Sequence, residues 1–306
     1  MAFDQENSLR WGNSLGGDLY LALLFPSKSN LTLYKCGRNI LPFVPGKTPK
    51  AEKKSDDIGQ DSTASAHTGR TLMFNELSHI LDITPIDCSI SEIKRLVYEE
   101  NILQKSSFSS RKMSFYRLKL LYTLDIQNTA FKTLRFFWNK APDERPLIAL
   151  EAALARDHIL RYSAQKILPL KCDTLITKEE MIKNIQQEYG KLYTQNVLES
   201  TSRNLLSSWV QSGHLSGRVK KSRRKATAGP ASLTYALLLG QLSGVEGSSL
   251  FETVLVHALD ATDTEIQAYL HAAMRKGWLM YRNAGGIIEL TITLDLNGEV
   301  KKNGHD

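Results

Sequence analysis

From Leu72 to Leu168 the apolar residues recur at helical spacing, and this periodicity confines that stretch to packed helices. Ser89-Ile-Ser-Glu92 has the form of a capping box, a hydroxyl for an orphan amide and a carboxylate reaching back. It opens a helix with Ile93, Leu96, Val97 and Ile102 on one side. Phe108 to Leu124 follows, with Met113, Tyr116, Leu120 and Leu121 as its expected apolar stripe and Arg111, Lys112, Arg117 and Lys119 interleaved. A helix through Ala130–Asn139 stops near Pro142. Leu147 to Leu168 reads as one long helix or two broken ones, closed by Pro169. Helices joined by short loops predict an all-α bundle over 71–168.

The next stretch, 169–232, changes character. Thr177-Lys-Glu-Glu180 is a second capping box, and Met181, Ile182, Ile185 and Tyr189 define an apolar face ending at Gly190. A second helix runs from about Asn196 to Ser212, with Leu198, Ser202, Leu205, Leu206, Trp209 and Val210 facing inward. Glu199, Arg203, Ser207 and Gln211 face outward, with Ser200, Asn204 and Ser208 beside them. Helix, loop, helix, Gly-x-Leu and a basic hairpin-sized loop is the layout of a winged helix. Residues 233–306 repeat it. Leu250–Leu259 predicts a helix, and Ile266, Tyr269, Leu270 and Met274 mark the face of another. Then Trp278–Arg282 and Ile287–Leu294 read as strands joined by Asn283-Ala-Gly-Gly286, a hairpin turn. The expected fold is mainly α: a helical bundle followed by winged-helix-like modules with a small C-terminal β-hairpin.

Residues 45–70 hold one aliphatic side chain larger than Ala, Ile58, which predicts a flexible polar linker or insertion. The preceding 1–44 is too small to fold alone and is expected to dock onto the body. Apolar runs such as Leu19–Phe25 and Tyr235–Leu239 fall short of the roughly 18 residues of a spanning helix, and no secretory signal is visible. The three cysteines (Cys36, Cys88, Cys172) lie far apart without a metal-ligand pattern, which suits the cytoplasm. No nucleophile elbow, P-loop, dinucleotide fingerprint or HExxH is present, so neither a cofactor, nor a metal, nor an enzyme is expected. The histidines show no carboxylate partner at a suggestive spacing. Asp157-His158 are neighbours on one helix and point about 100° apart.

Charge supplies the functional signal. The net +7 is concentrated in 169–232, which has 11 basic and 5 acidic residues, whereas 233–306 has 5 and 9. A basic module beside an acidic one points to a polyanion partner for the first and a protein partner for the second. Arg218, Lys220, Lys221, Arg223, Arg224 and Lys225 crowd one loop and predict phosphate contacts on double-stranded DNA. Arg203, Asn204 and Ser207 on the preceding helix are candidates for base edges or phosphates. Arg111, Lys112, Arg117 and Lys119 form a possible second phosphate track. A tandem winged-helix regulator of transcription and a protein scaffold without DNA binding are the rival readings.

Three segments carry a family resemblance: EIKRLVYEENILQKSSFSSRKMSFYRLKLLYTL (Glu92–Leu124), LIALEAALARDHILRYSAQKIL (Leu147–Leu168) and ESTSRNLLSSWVQSGHL (Glu199–Leu215). Together, over roughly residues 90–217, they resemble the BrxA family, accessory components of bacteriophage exclusion (BREX) defence systems. The resemblance implies a helical, non-enzymatic protein that binds double-stranded DNA and works with other defence-system proteins, with Arg111, Lys112, Arg117 and Arg203 among its possible DNA contacts. The polar 45–70 segment and the hairpin at 278–294 depart from the family pattern.

Overall fold

The computed structural model describes residues 65–284 and 287–296; the expected docking segment 1–44, residues 45–64 of the expected linker and Cys36 lie outside them. Eleven α-helices are present among the described residues: α1 (Phe74–Ile83), α2 (Ile90–Tyr98), α3 (Phe108–Tyr122), α4 (Thr129–Lys140), α5 (Arg145–Arg156), α6 (His158–Ile167), α7 (Lys178–Tyr189), α8 (Gln195–Gln211), α9 (Pro230–Leu242), α10 (Val254–His257) and α11 (Asp263–Arg275). The fold is mainly α. Among the described residues no helix is long and apolar enough to cross a membrane.

Local chemistry sets the helix starts. Ser89, Ser107, Asn128, Asp157, Thr177 and Thr262 each accept the amide of the residue three positions on. At Thr177 and Thr262 the glutamate three residues on returns the bond, closing the box. At Ser89 it does not, because Glu92 is drawn to Arg95 instead (2.8 Å). Of the two arrangements expected over Leu147–Leu168, two helices are present, divided at Asp157, whose side chain caps α6 just where α5 ends.

The bundle is built around α5, buried from Leu147 to Ala155, and α9, buried from Ala231 to Gly240. These two helices pack together, and α3, α4, α6, α10 and α11 pack around one or the other. A helix enclosed on all sides has no polar face and so no periodicity to read. This is why only the Tyr235–Leu239 run signalled α9. Its N-terminus is satisfied from outside: Glu144 accepts the Ser232 amide at 2.7 Å and the Ser232 hydroxyl at 2.8 Å. One apolar core runs from Ala66 to Leu279, joining all three pieces, and the expected boundary at 232/233 falls inside α9.

Two sequence expectations change in the bundle. On α3 the inward face is Phe115, Leu118, Leu121 and Tyr122, while Met113 and Tyr116 are exposed. Segment 65–70 belongs to the folded body. Ser65, Ala66 and His67 are buried, Ala66–Thr68 forms a 3-10 turn, and the chain continues to Phe74 as a strap along α8.

β1 (Leu175–Ile176), β2 (Leu215–Ser216) and β3 (Lys221–Arg223) make an antiparallel sheet in the order β1-β3-β2, with Leu175 opposite Ser222 and Leu215 opposite Arg223. With α6, α7 and α8 this gives the helix, helix, hairpin order expected of a winged-helix-like module, and the turn 217–220 stands where its wing would be. The C-terminal module repeats the helices and the hairpin through α9, α10, α11, β4 (Leu279–Ala284) and β5 (Ile287–Ile292), paired with Leu279 opposite Ile292, but among the described residues it has no counterpart of β1. A 3-10 segment, Gly247–Glu252, and the short α10 replace the single helix expected over Leu250–Leu259. Trp278 stacks edge-on against Phe136 and Phe137 of α4, fastening this module to the bundle.

Candidate nucleic-acid interface

The wing is shaped by one glycine. Gly217 has φ +100°, and a Cβ there would collide with the Lys220 carbonyl, so only glycine lets the chain reverse this tightly. Lys221 is half-buried beneath the turn and donates to the carbonyls of Gly217 (3.4 Å) and Arg218 (3.1 Å). Burial lowers its ammonium pKa. The tip is left to Arg218, Val219 and Lys220, all exposed, with Val219 at 89%.

The structure therefore divides the six loop cations. Arg218 and Lys220 project from the tip. Lys221 clasps the turn. Arg224 is exposed but paired with Asp173 (2.6 Å) and Ser216 (3.1 Å). Lys225 meets Glu265 of α11 at 2.5 Å. Arg223 is a correction to the sequence reading: it is 1% exposed and binds Asp260 (2.5 Å) and the carbonyls of Ile167, His214 and Arg224. A buried guanidinium with a carboxylate and three carbonyl partners is a structural post, out of reach of a phosphate.

On α8, Arg203 is exposed and Ser207 half-exposed. Asn204 is turned the other way, its amide donating to the His67 carbonyl (2.9 Å). The strap also takes Ser208, which accepts the Leu72 amide at 2.8 Å, and Gln211, which accepts the Phe74 amide and donates to Thr71. The side of α8 read from sequence as polar and open is thus covered along Asn204, Ser208 and Gln211. On α3, Lys112 and Lys119 are exposed, whereas Arg111 donates to the Tyr98 carbonyl (2.7 Å) and Arg117 to that of Ser65 (2.6 Å). The α3 arginines are tied to backbone carbonyls, Arg111 at the end of α2 and Arg117 at the start of the strap, so of the expected phosphate track only Lys112 and Lys119 stand exposed.

Sequence reasoning missed one polar cluster altogether. His67 Nδ1 lies 2.9 Å from Asp157, and its Nε2 lies 3.0 Å from Ser208 Oγ. Serine, histidine and aspartate in this order would suit nucleophilic chemistry if a substrate could reach them. All three are buried, and Ser208 also holds the Leu72 amide and the Asn204 carbonyl. The cluster pins the strap. Its partners are 90 and 141 residues apart, beyond any local spacing signal. Burial alone would raise the Asp157 carboxyl, but His67 and hydrogen bonds from Leu160 and Ser65 outweigh it and hold the carboxyl well below the usual range.

A second buried histidine joins the two modules. His214 Nε2 donates to the Ala258 carbonyl (2.8 Å), leaving Nδ1 to the Ser212 hydroxyl (2.9 Å). Desolvation pushes its pKa down from the ordinary 6.5 to about 4. The unfolded chain therefore takes up this proton first as the pH falls. Stability drops between about pH 6.5 and 4, by about 3 kcal/mol at 1.36 kcal/mol per unit. Urea midpoints measured from pH 7 to 4 should show that loss, and His214→Gln should flatten it. An equal acid slope in the variant would clear His214 of the effect.

Among the described residues no group of three or more His, Cys, Asp or Glu side chains is placed to hold a metal ion. No protein-family model matches the chain, and no curated protein matches it.

Proposed function

We propose that this protein binds double-stranded DNA through the wing of its first module and the open edge of α8, mainly by phosphate contacts. The observation that carries the reading is the wing tip. A rigid glycine turn projects Arg218 and Lys220 on either side of a fully presented Val219. Arginine at the end of a projecting ribbon suits a narrow minor groove, and a small apolar residue between cations suits contact with its floor or with an opened base step. Arg203 adds a cation on α8 with Ser207 one turn on, and the commitment of Asn204 to the strap favours phosphate contact over base reading.

In this reading the chain is a non-enzymatic, cytoplasmic accessory protein of a BREX-like phage-defence system, as the BrxA-like segments suggest. The acidic C-terminal module meets other proteins of that system. Its α11 exposes Thr264, Ala268, His271 and Arg275, a thin set for phosphates.

Fluorescence anisotropy with a random-sequence 30-base-pair duplex at several salt concentrations tests the proposal. Arg218→Ala/Lys220→Ala should weaken binding on every sequence and reduce the slope of log K against log salt by about 1.8, roughly 0.9 per lost phosphate contact. Wild-type affinity and slope in that variant would remove the wing from the interface. No duplex binding at low salt would overturn the DNA reading itself.

A further inference from the structure

The outer face of α3 carries side chains that the bundle does not use. Phe108, Met113 and Tyr116 are 49%, 44% and 46% exposed, with exposed Lys112 and Lys119 beside them. The helix has no acidic residue. Arg111 and Lys112 lie near its N-terminus, where the backbone dipole is already positive and acids are favoured. Cations set against the dipole do not help the helix form, but they raise the positive potential around the aromatic rings. Cations attend the rings: Lys112 Nζ lies 4.6 Å over Phe108, and further along the helix the Arg117 guanidinium lies 5.6 Å from the Tyr116 centroid. Tyr98 meets Phe108 edge-on at 5.6 Å and steadies it from α2.

We propose that this face binds single-stranded nucleic acid, with Phe108 and Tyr116 as stacking platforms and Lys112 and Lys119 as phosphate partners. Exposed aromatic rings interleaved with lysines match a ligand that is polyanionic and offers flat π faces. A duplex hides its base faces in the stack, so only an opened strand can use the rings. Phe108 and Tyr116 are eight residues apart, about 12 Å along the helix. That is more than three steps of a duplex strand at about 3.4 Å each, so the rings take splayed bases. Met113 supplies adaptable apolar surface between them. Cation–π contacts at an exposed site are weak, so Lys112 can leave the Phe108 ring for a phosphate as a base stacks there. An acidic peptide would satisfy the lysines but leave the rings in water. A second copy of this chain would bring its own α3 cations against these.

The inference is independent of the duplex reading, which rests on the wing. Labelled (dT)20 and a 20-base-pair duplex are titrated with the full chain, as wild type, as Phe108→Ala/Tyr116→Ala and as Lys112→Ala/Lys119→Ala. The wild type should bind (dT)20 in a salt-dependent way. The aromatic double variant should lose about tenfold or more on (dT)20 and stay within about twofold on the duplex. The lysine double variant should lower the (dT)20 salt slope by about 1.4, roughly 0.7 per phosphate. These side chains are exposed, so equal melting temperatures should accompany the losses. Binding of (dT)20 without duplex binding supports this site and overturns the wing reading. The proposal is overturned if (dT)20 fails to bind at low salt, including where poly-glutamate binds instead. It is also overturned if the aromatic variant binds (dT)20 like the wild type, or if it loses both ligands equally.

Discussion

Arg223→Ala should lower the stability of the folded chain by about 3–5 kcal/mol, the usual cost of leaving a buried charge without its partner. Asp260 then keeps its carboxylate in a site only 19% exposed, facing a void. The carbonyls of Ile167, His214 and Arg224 lose their donor in the same step. Arg223→Lys should recover little, because one ammonium cannot copy a planar fork that reaches four acceptors. Asp260→Asn should cost less than Arg223→Ala, since the amide still accepts from the guanidinium. Chemical-denaturation midpoints decide the matter: an unchanged midpoint in Arg223→Ala would show that the pair carries no net weight. The same variants separate post from contact. Measured well below their melting points, Arg223→Lys and wild type should share one salt slope on duplex DNA. A shallower slope in the variant would return Arg223 to the interface.

The division among the cations is what sequence could not supply. In a charge run, arginine and lysine look alike. In the fold, arginines gather backbone carbonyls: Arg111 takes Tyr98, Arg117 Ser65, Arg135 Thr84 and Pro85, Arg145 Trp138, Arg156 Leu120, and Arg223 Ile167. Five donors on a rigid plane suit helix ends and turns, where carbonyls have no intrahelical partner. Part of the positive charge counted from sequence is therefore scaffolding, buried at Arg135 and Arg223. Of the DNA contacts expected from sequence, those exposed and outside the ion pairs of the wing are Arg218 and Lys220 at its tip, Arg203 on α8, and Lys112 and Lys119 on α3.

Features that depend on neighbours in sequence were legible. The cap at Thr177, the helix end near Ser212 and the C-terminal hairpin all follow from residues a few positions apart. Features that depend on partners far along the chain were not. On α3, Met113 and Tyr116 look like core from helical spacing, yet the buried face is Phe115, Leu118, Leu121 and Tyr122. Nothing in the spacing chooses between two apolar stripes on one helix. Only the packed neighbours do. Segment 65–70 reads as linker because it is polar, and it is folded because its polar groups find Asp157, Ser208 and Arg117.

Asp157→Ala should cost at least as much as Arg223→Ala, because one carboxylate serves three structures. Its Oδ1 caps α6 through the Leu160 amide (2.9 Å), a contact worth about 1 kcal/mol alone. Its Oδ2 accepts the Ala66 amide and lies 2.9 Å from His67 Nδ1. Both oxygens accept from Ser65. Removal leaves the enclosed His67 Nδ1, the Ala66 amide and the Ser65 hydroxyl without their acceptor, about 1–3 kcal/mol for each buried polar group left unsatisfied. The damage should be directional. The strap peels from α8, uncovering Asn204, Ser208 and Gln211, while α9 and α5 keep their packing. Hydrogen exchange tests this directly: the amides of Ala66, Leu72 and Phe74 should lose protection in Asp157→Ala before those of α5. Uniform loss across the chain would contradict a local latch. The acid response has a fixed sign. The folded carboxyl lies below its ordinary value, so its contribution is present above the usual aspartate range and is lost as pH falls through and below it. Asp157→Asn should remove that part of the acid dependence while keeping the side chain's shape, and the desolvated histidines, His214 with a smaller share from His257, should then account for the slope that remains below about pH 6.5.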